Sequence, residues 1–394
     1  MRITIIHAAY YYSGSEKSVE LLARWLMNNG HEVKIISVGK YNAPDDLKVI
    51  ERNILPNINK ALTLKALFPI ADVMRDYENN TDIYHIYNVF PMAAAGLYKL
   101  FGGKRPVIAT LNNYAGFCPT ATATYNECNR LSCRIRCLSE SIKSKNKNIN
   151  TLYIYLYCMM YPLLIDLSKK LDKYIAISEQ VKDMYITYGY NKDKIIVIPE
   201  FFYLNYKTKD NDSNLSKLLY VGTISRHKGV DLLIQALNII KNKYGHHNIN
   251  LTIVGKGDHG YESYCKELVM KYNLIPNIRF LGYVPDDELD RIYAENHIFI
   301  HPARWYEPFG RTIIEALSHG LPCIVSDTVS RNIIEDAGLI FKKDDVLDLV
   351  EKILLIINDK TLYKRLSDNT RNVINKFDIN NIGKKIVDTY ISLL

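Results

Sequence analysis

Nowhere in the 394 residues does a purely apolar run reach the roughly 18 needed to cross a bilayer. The nearest, TLYIYLYCMMYPLLI at 151–165, is shorter and contains Pro162. A secretory leader is not expected either. MRITIIHAAYYYSG has too short an apolar core and no small-residue cleavage site, so a cytoplasmic location is expected. Cysteine occurs seven times, and an odd number argues against a fully paired secreted framework. No short-period repeat is visible. With 48% hydrophobic and 23% charged residues, the chain is neither disordered, fibrous nor a small disulfide scaffold. Acidic residues are scarce in one place: residues 101–150 hold 8 basic and 2 acidic side chains. Of the net charge of +8, residues 1–200 carry +7 and residues 201–394 carry +1. Such a local excess suits a phosphate, a nucleic acid or an anionic membrane surface, or it is a solvated basic face. No nucleic-acid module accompanies it, so nucleic acid is not expected as a partner.

What the chain does have is alternation. RITII is a short apolar run, Val19, Leu22, Ala23, Leu26 and Met27 follow at helical spacing, Gly30 ends that helix, and VKIISV is a second strand. Strand, helix and strand in so short a span form a βαβ unit, hence a parallel sheet with right-handed crossovers. The pattern continues through DIYHIY, PVIATL, KYIAIS and KIIVIP, with an irregular stretch expected at 112–150. Residues 203–217 are polar and aperiodic and read as a linker. The alternation restarts with KLLYVGTI and ends in three helices. The expectation is an α/β chain of two doubly wound domains, 1–203 and 204–378.

Ligands of such sheets bind beyond the carboxyl ends of the strands. Gly14, in YYSGSEKS, stands between the first strand and first helix, where backbone and helix N–H groups meet an anion; the plainer alternative is a turn glycine before a Ser15 cap. In YVGTISRHKGVDLL, Arg226 and Lys228 sit at a strand-to-helix turn after Gly222, which suits a diphosphate. In WYEPFGRTIIEALSHG, Glu307 precedes a helix and Glu315 lies eight residues later inside it. Free N–H groups from Gly310 to Ile313 would meet a phosphate or sugar oxygen, and the two carboxylates would accept from vicinal hydroxyls. Acids that merely complement a helix dipole are the alternative.

Taken together, LLYVGTISRHKGVDLLIQAL, LTIVGKGD and the stretch from IRFLGY to PCIVSD resemble glycosyltransferase family 4, as do MRITIIHAAYYYSG and DIYHIYNVFP in the first half. The resemblance implies the GT-B fold, two Rossmann-like domains facing a central cleft, with a C-terminal helix at 379–394 packing back on the first domain. It implies a retaining hexosyltransferase acting in cell-surface polysaccharide or glycoprotein glycan assembly. A nucleotide-sugar donor, UDP- or GDP-linked, would be held mainly by the second domain. Glu315 would hold the ribose and Glu307 the transferred hexose. Lys228 and Arg226 would neutralise the diphosphate, helped by Gly14, Gly222 and the N–H groups of Phe309, Gly310, Arg311, Thr312 and Ile313. The base would lie near Gly282, Tyr283 and Val284. No metal would be required for catalysis, because cations and helix ends stabilise the leaving diphosphate. His85, Asn112 and Asn113 would face a glycan or lipid-linked acceptor. Two departures stand out: Thr223 replaces the family's usual Arg, and Asn112 with Asn113 replaces its frequent His. They keep open a catalytically weak or inactive nucleotide-sugar-binding partner subunit; a GT-B epimerase is disfavoured by the E-x(7)-E block.

Cys118, Cys128, Cys133 and Cys137 crowd within twenty residues. A structural zinc, two disulfides, an iron–sulfur cluster and four free thiols all remain open. The apolar stretch 151–165 follows the basic Lys143, Lys145 and Lys147. It reads either as a buried core helix or as a peripheral contact with an anionic membrane.

Overall fold

The computed structural model describes residues 1–8, 14–39, 41, 44–52, 54, 66–123, 130–143, 151–203, 206–207, 215–257 and 259–394. The chain forms two compact units, Met1–Phe202 with Asp378–Leu394, and Tyr203–Phe377.

Unit 1 is built on a parallel sheet whose strand order is β3-β2-β1-β4-β5-β6-β7. Its strands are β1 (Arg2–His7), β2 (Glu32–Ser37), β3 (Val49–Glu51), β4 (Ile83–Tyr87), β5 (Val107–Leu111), β6 (Lys173–Ala176) and β7 (Ile195–Val197). The central strands IYHIY and VIATL are buried at every position, because helices cover both faces of a parallel sheet. Those helices are α1 (Gly14–Asn28), α2 (Leu67–Asp76), α3 (Val89–Leu100), α4 (Leu131–Lys143), α5 (Thr151–Ser168) and α6 (Glu179–Thr187). On α1 the residues Val19, Leu22, Ala23 and Leu26 form the buried stripe that the sequence spacing predicts. Ser178 caps α6 by accepting the Val181 N–H.

Unit 2 repeats the design with the order β10-β9-β8-β11-β12-β13, again all parallel. The strands are β8 (Lys217–Val221), β9 (Asn250–Val254), β10 (Ile278–Gly282), β11 (Ile298–His301), β12 (Cys323–Ser326) and β13 (Gly338–Phe341). The helices are α7 (Val230–Tyr244), α8 (His259–Lys271), α9 (Asp286–Glu295), α10 (Arg311–Ser318), α11 (Val346–Asn358) and α12 (Lys360–Ile374). A last helix, α13 (Ile379–Ile391), packs in unit 1 against α1, where Trp25 Nε1 donates to Asn380 Oδ1 at 3.1 Å.

Elements missing from the sequence expectation include helices α2 and α4 and strands β3 and β13. Helix α4 occupies part of the stretch expected to be irregular. Its buried stripe is Cys133, Arg134, Cys137 and Leu138, so cysteines serve as small apolar residues at helical spacing. Strands β3 and β13 were not expected, since three or four residues at a sheet edge carry too short a pattern. Of the expected linker, residues 204–205 and 208–214 lie outside the described residues. Among the described residues no helix is long and apolar enough to cross a membrane.

Candidate functional site

In unit 2 the strand order turns back between β8 and β11, the switch point where loops diverge and leave room for a ligand. The loop after β8 carries Gly222–Gly229, and the loop after β11 carries Pro302–Gly310. They are tied together. The Arg304 N–H donates to the His227 carbonyl at 2.8 Å. Gly229 has φ +71°, and a Cβ there would lie 2.1 Å from the Pro302 carbonyl oxygen, so only glycine lets the loops approach.

Glu307 is the centre of this arrangement. It is 6% exposed, and a single oxygen, Oε2, is contacted by Lys228 Nζ at 2.5 Å, His301 Nε2 at 2.9 Å and Trp305 Nε1 at 2.9 Å. Its other oxygen has no hydrogen bond to a described residue. Burial by itself would raise the carboxyl pKa. The charge of Lys228 and the hydrogen bond from His301 outweigh that and hold it well below the usual carboxylate range. Burial keeps His301 neutral, so its Nε2–H donates to the carboxylate. Lys228 also stands 4.7 Å from the Trp305 ring centroid, a cation–π contact that fixes the ammonium over the loop.

Behind the cationic loop lies a clamp. Arg304 donates from Nη1 and Nη2 to Asp231 at 2.5 and 3.0 Å, from Nε to Asp344 at 2.5 Å, and from Nη1 to the Arg226 carbonyl at 3.2 Å. Asp231 also accepts from the Tyr261 hydroxyl. Burial raises the Asp231 carboxyl, but its bonds from Arg304 and Tyr261 bring the net shift below its ordinary value. The Arg226 side chain is exposed, with no hydrogen bond or ion pair to a described residue.

Gly310 caps α10 in the left-handed region at φ +83°. A Cβ there would meet Ile313 Cδ1 at 2.6 Å, which again demands glycine. Glu315 is half-buried on α10 and accepts the Tyr293 hydroxyl on Oε2 at 3.0 Å, while Tyr293 stacks on His319 with centroids 5.1 Å apart. Its Oε1, like that of Glu307, has no partner among the described residues.

The structure thus brings Glu307, Lys228, Gly310, Arg311, Thr312 and Ile313 around adjoining loop ends in unit 2. Gly222 and Thr223 follow β8, and the exposed Tyr283 stands with Gly282 and Val284 at the end of β10. The Ile313 N–H is already used, donating to the Gly310 carbonyl at 2.9 Å. The Phe309 side chain is buried against Phe377 and belongs to the core, not to a ligand surface. Gly14 opens α1 in unit 1. Asn112 and Asn113 follow β5, and Asn113 Oδ1 accepts the Ala115 N–H at 2.8 Å, as a turn residue does. The acceptor role expected for His85 is corrected. It is fully buried in β4 and both ring nitrogens are occupied, by the Tyr390 hydroxyl at 2.6 Å and Thr110 Oγ1 at 2.7 Å. Burial lowers its pKa to about 3, so it is a neutral core residue.

The zinc expectation finds no support. Cys118, Cys133 and Cys137 are buried, with Cys133 and Cys137 Sγ 4.0 Å apart. The hydrogen bond to Cys118, followed by burial, pushes the Cys137 thiol pKa up, which keeps it protonated. No group of three or more ligands able to hold a metal occurs among the described residues, and Cys128 lies outside them.

His301, Trp305, Arg304, Asp231 and Tyr293 were not singled out in the sequence. Trp305, two positions before Glu307, was the most accessible clue, because an indole N–H there has a carboxylate within reach.

Residues 205–373 match the family described as Glycosyl transferases group 1, and residues 12–204 match Glycosyltransferase Family 4. Among relatives, an uncharacterized 42.6 kDa protein in the cps region of Klebsiella pneumoniae is 24% identical over 349 residues, covering 81% of this chain and 83% of its own. The capsular polysaccharide biosynthesis glycosyltransferase CapM of Staphylococcus aureus is 29% identical, covering 56% and 61%. The O-antigen chain mannosyltransferase B of Escherichia coli is 33% identical over 143 residues, covering 36% of each chain. Anabaena HepE in complex with UDP superposes with a TM-score of 0.74 at 17% identity, covering both chains fully. Sucrose-phosphate synthase from Thermosynechococcus elongatus also scores 0.74, at 19% identity, covering 100% of this chain and 98% of its own. Two parallel-sheet units and two family matches that together run from 12 to 373 lead to one conclusion: the chain belongs to the family 4 glycosyltransferases and has the GT-B fold.

Proposed function

We propose that the chain moves a hexose, with retention of anomeric configuration, from a UDP- or GDP-linked donor to a glycan or lipid-linked acceptor during assembly of a cell-surface polysaccharide, at the inner face of the membrane. The names of CapM, of the O-antigen mannosyltransferase and of HepE in complex with UDP-glucose support this direction. The observation that carries it is Glu307. Three donors converge on one carboxylate oxygen, while the other has no hydrogen bond to a described residue, the arrangement needed to accept from a sugar hydroxyl.

On this reading unit 2 holds the donor. Glu307 takes the hexose and Glu315 the ribose hydroxyls, each through Oε1. The base lies near Gly282, Tyr283 and Val284. Negative charge grows on the diphosphate as its bond to the anomeric carbon breaks, and Lys228, Arg226 and the α10 N-terminus stabilise it. The acceptor hydroxyl bonds that carbon from the same face, and its proton passes to a donor phosphate oxygen. Unit 1 supplies the acceptor surface, with Asn112 among its contacts.

The substitution Glu307→Gln keeps the shape but removes the charge. It should lower transfer by about a hundredfold or more, read as sugar incorporation with UDP- and GDP-hexoses; undiminished transfer overturns the assignment. The exposed, uncharged Thr223 motivates the second reading, a donor-binding subunit without turnover. That reading predicts thermal stabilisation by a nucleotide sugar but neither transfer nor donor hydrolysis.

A further inference from the structure

The transfer reaction as proposed gives Trp305 no task, yet this side chain touches three residues of the paired loops. It is half-buried in the loop after β11. Its indole N–H donates to Glu307 Oε2 at 2.9 Å. Its ring centroid lies 4.7 Å from Lys228 Nζ. It also meets His227 edge to face, with centroids 5.1 Å apart and planes at 69°. Lys228 and Glu307 touch each other as well, through Nζ and Oε2 at 2.5 Å. Ammonium, carboxylate and indole therefore form a closed triangle in which each member contacts the other two.

A carboxylate oxygen offers about two lone-pair directions. Oε2 already receives Lys228, His301 and the indole, so a ligand hydroxyl has to use Oε1. Lys228 carries a flexible four-carbon stem and stands in a short 3-10 turn, Arg226–Lys228. With a diphosphate present its ammonium would serve a carboxylate and phosphate oxygens at once, and the ion pair with Glu307 would weaken. The indole N–H is uncharged and rigidly placed, so a phosphate draws it far less than it draws the ammonium. We infer that Trp305 is a positioning residue for the donor: its N–H sets Glu307 for the hexose, and its ring face sets Lys228 for the diphosphate. Two parts of one side chain thus support two neighbouring parts of one ligand, and different substitutions remove them. The inference rests on the donor roles proposed for Glu307 and Lys228.

The test is calorimetric titration of the full chain with UDP-glucose, UDP-galactose and GDP-mannose, each beside its nucleoside diphosphate and monophosphate. Trp305→Phe keeps a ring face and removes the N–H. It should weaken the nucleotide sugar that the wild type binds by about tenfold, the cost of one hydrogen bond to a charged group, and leave the diphosphate and monophosphate within about twofold. Trp305→Leu removes the face as well, so the diphosphate should also weaken, by about threefold, while the monophosphate is again spared. In Glu307→Gln the indole has lost its carboxylate, and adding Trp305→Phe should change nucleotide-sugar affinity by less than about twofold. A ring that merely fills space would weaken all three ligands together and would do so equally in both Glu307 backgrounds; either result overturns the inference. So does unchanged nucleotide-sugar binding in Trp305→Phe, or a wild type that binds none of these ligands. Glu307→Gln by itself separates the two readings. If it binds the nucleotide sugar as the wild type does, the donor role of Glu307 falls; if it is weakened while Trp305→Phe is not, only the positioning role falls.

Discussion

One carboxylate oxygen of Glu307 receives an ammonium, an imidazole and an indole, which makes this side chain a fixed charge in a buried place. The opposite case is a set of histidines held neutral. Burial lowers His7 to about 4, His85 to about 3 and His227 to about 4, the last helped by Lys228. Each binds a proton more readily in the unfolded chain. Its contribution to stability is therefore complete above pH 6.5 and is lost as pH falls through the folded value. The melting temperature should decline between about pH 6.5 and pH 4, ahead of most carboxylates; a flat profile across that interval would refute the neutral assignment. At this scale the sequence was partly legible. The spacing of Glu307 and Glu315 and the lysine of the loop are local, and they were readable. His301 and Trp305 reach Glu307 only when two loops fold over each other, an event no local pattern announces. His85 was misread for the reverse reason: it stands inside a strand buried at every position, where a histidine is more often a satisfied core group than a ligand contact.

At the scale of elements, the cationic loop after β8 is held from behind by Arg304. Replacement by Met removes the bonds to Asp231, Asp344 and the Arg226 carbonyl, and leaves the mostly buried Asp231 carboxylate without its cation while it still accepts from the Tyr261 hydroxyl. Because Arg304 keeps 21% side-chain exposure, a cost of about 2 kcal/mol, below that of a fully buried pair, is expected in denaturant unfolding. The functional signature is more specific. If Lys228 and Arg226 hold a diphosphate as proposed, a loosened loop should weaken nucleoside diphosphate binding by about tenfold and spare the monophosphate. Equal loss for both ligands, by calorimetric titration, would reduce Arg304 to a general structural role. The alternating elements were legible because buried parallel strands and amphipathic helices have strong periods. Helix α4 was not, since reading Cys133 and Cys137 as metal candidates obscured their helical spacing with Leu138.

At the scale of the molecule, two doubly wound units followed from a restarted α/β pattern. The role of α13 within its unit is a matter of packing. Ile379, Ile382, Ile386 and Tyr390 are all buried in the same cluster as Ile3, Leu22 and Trp25. At about 1.5–3 kcal/mol for each large apolar side chain, removal of residues 378–394 forfeits roughly 6–12 kcal/mol as an upper estimate, comparable to the whole stability of a domain. It also strips His85 of the Tyr390 hydroxyl. Truncation after Phe377 should abolish the cooperative unfolding of unit 1 while unit 2 retains its transition in scanning calorimetry; an unchanged pair of transitions would show that α13 is dispensable. The same helix has a consequence for biogenesis. Residues 203–377 are complete before residues 378–394 are synthesised, whereas unit 1 needs both its first 202 residues and that final segment. On the ribosome the unit translated second can therefore reach its native state first, and the usual amino-to-carboxyl order of domain folding is inverted.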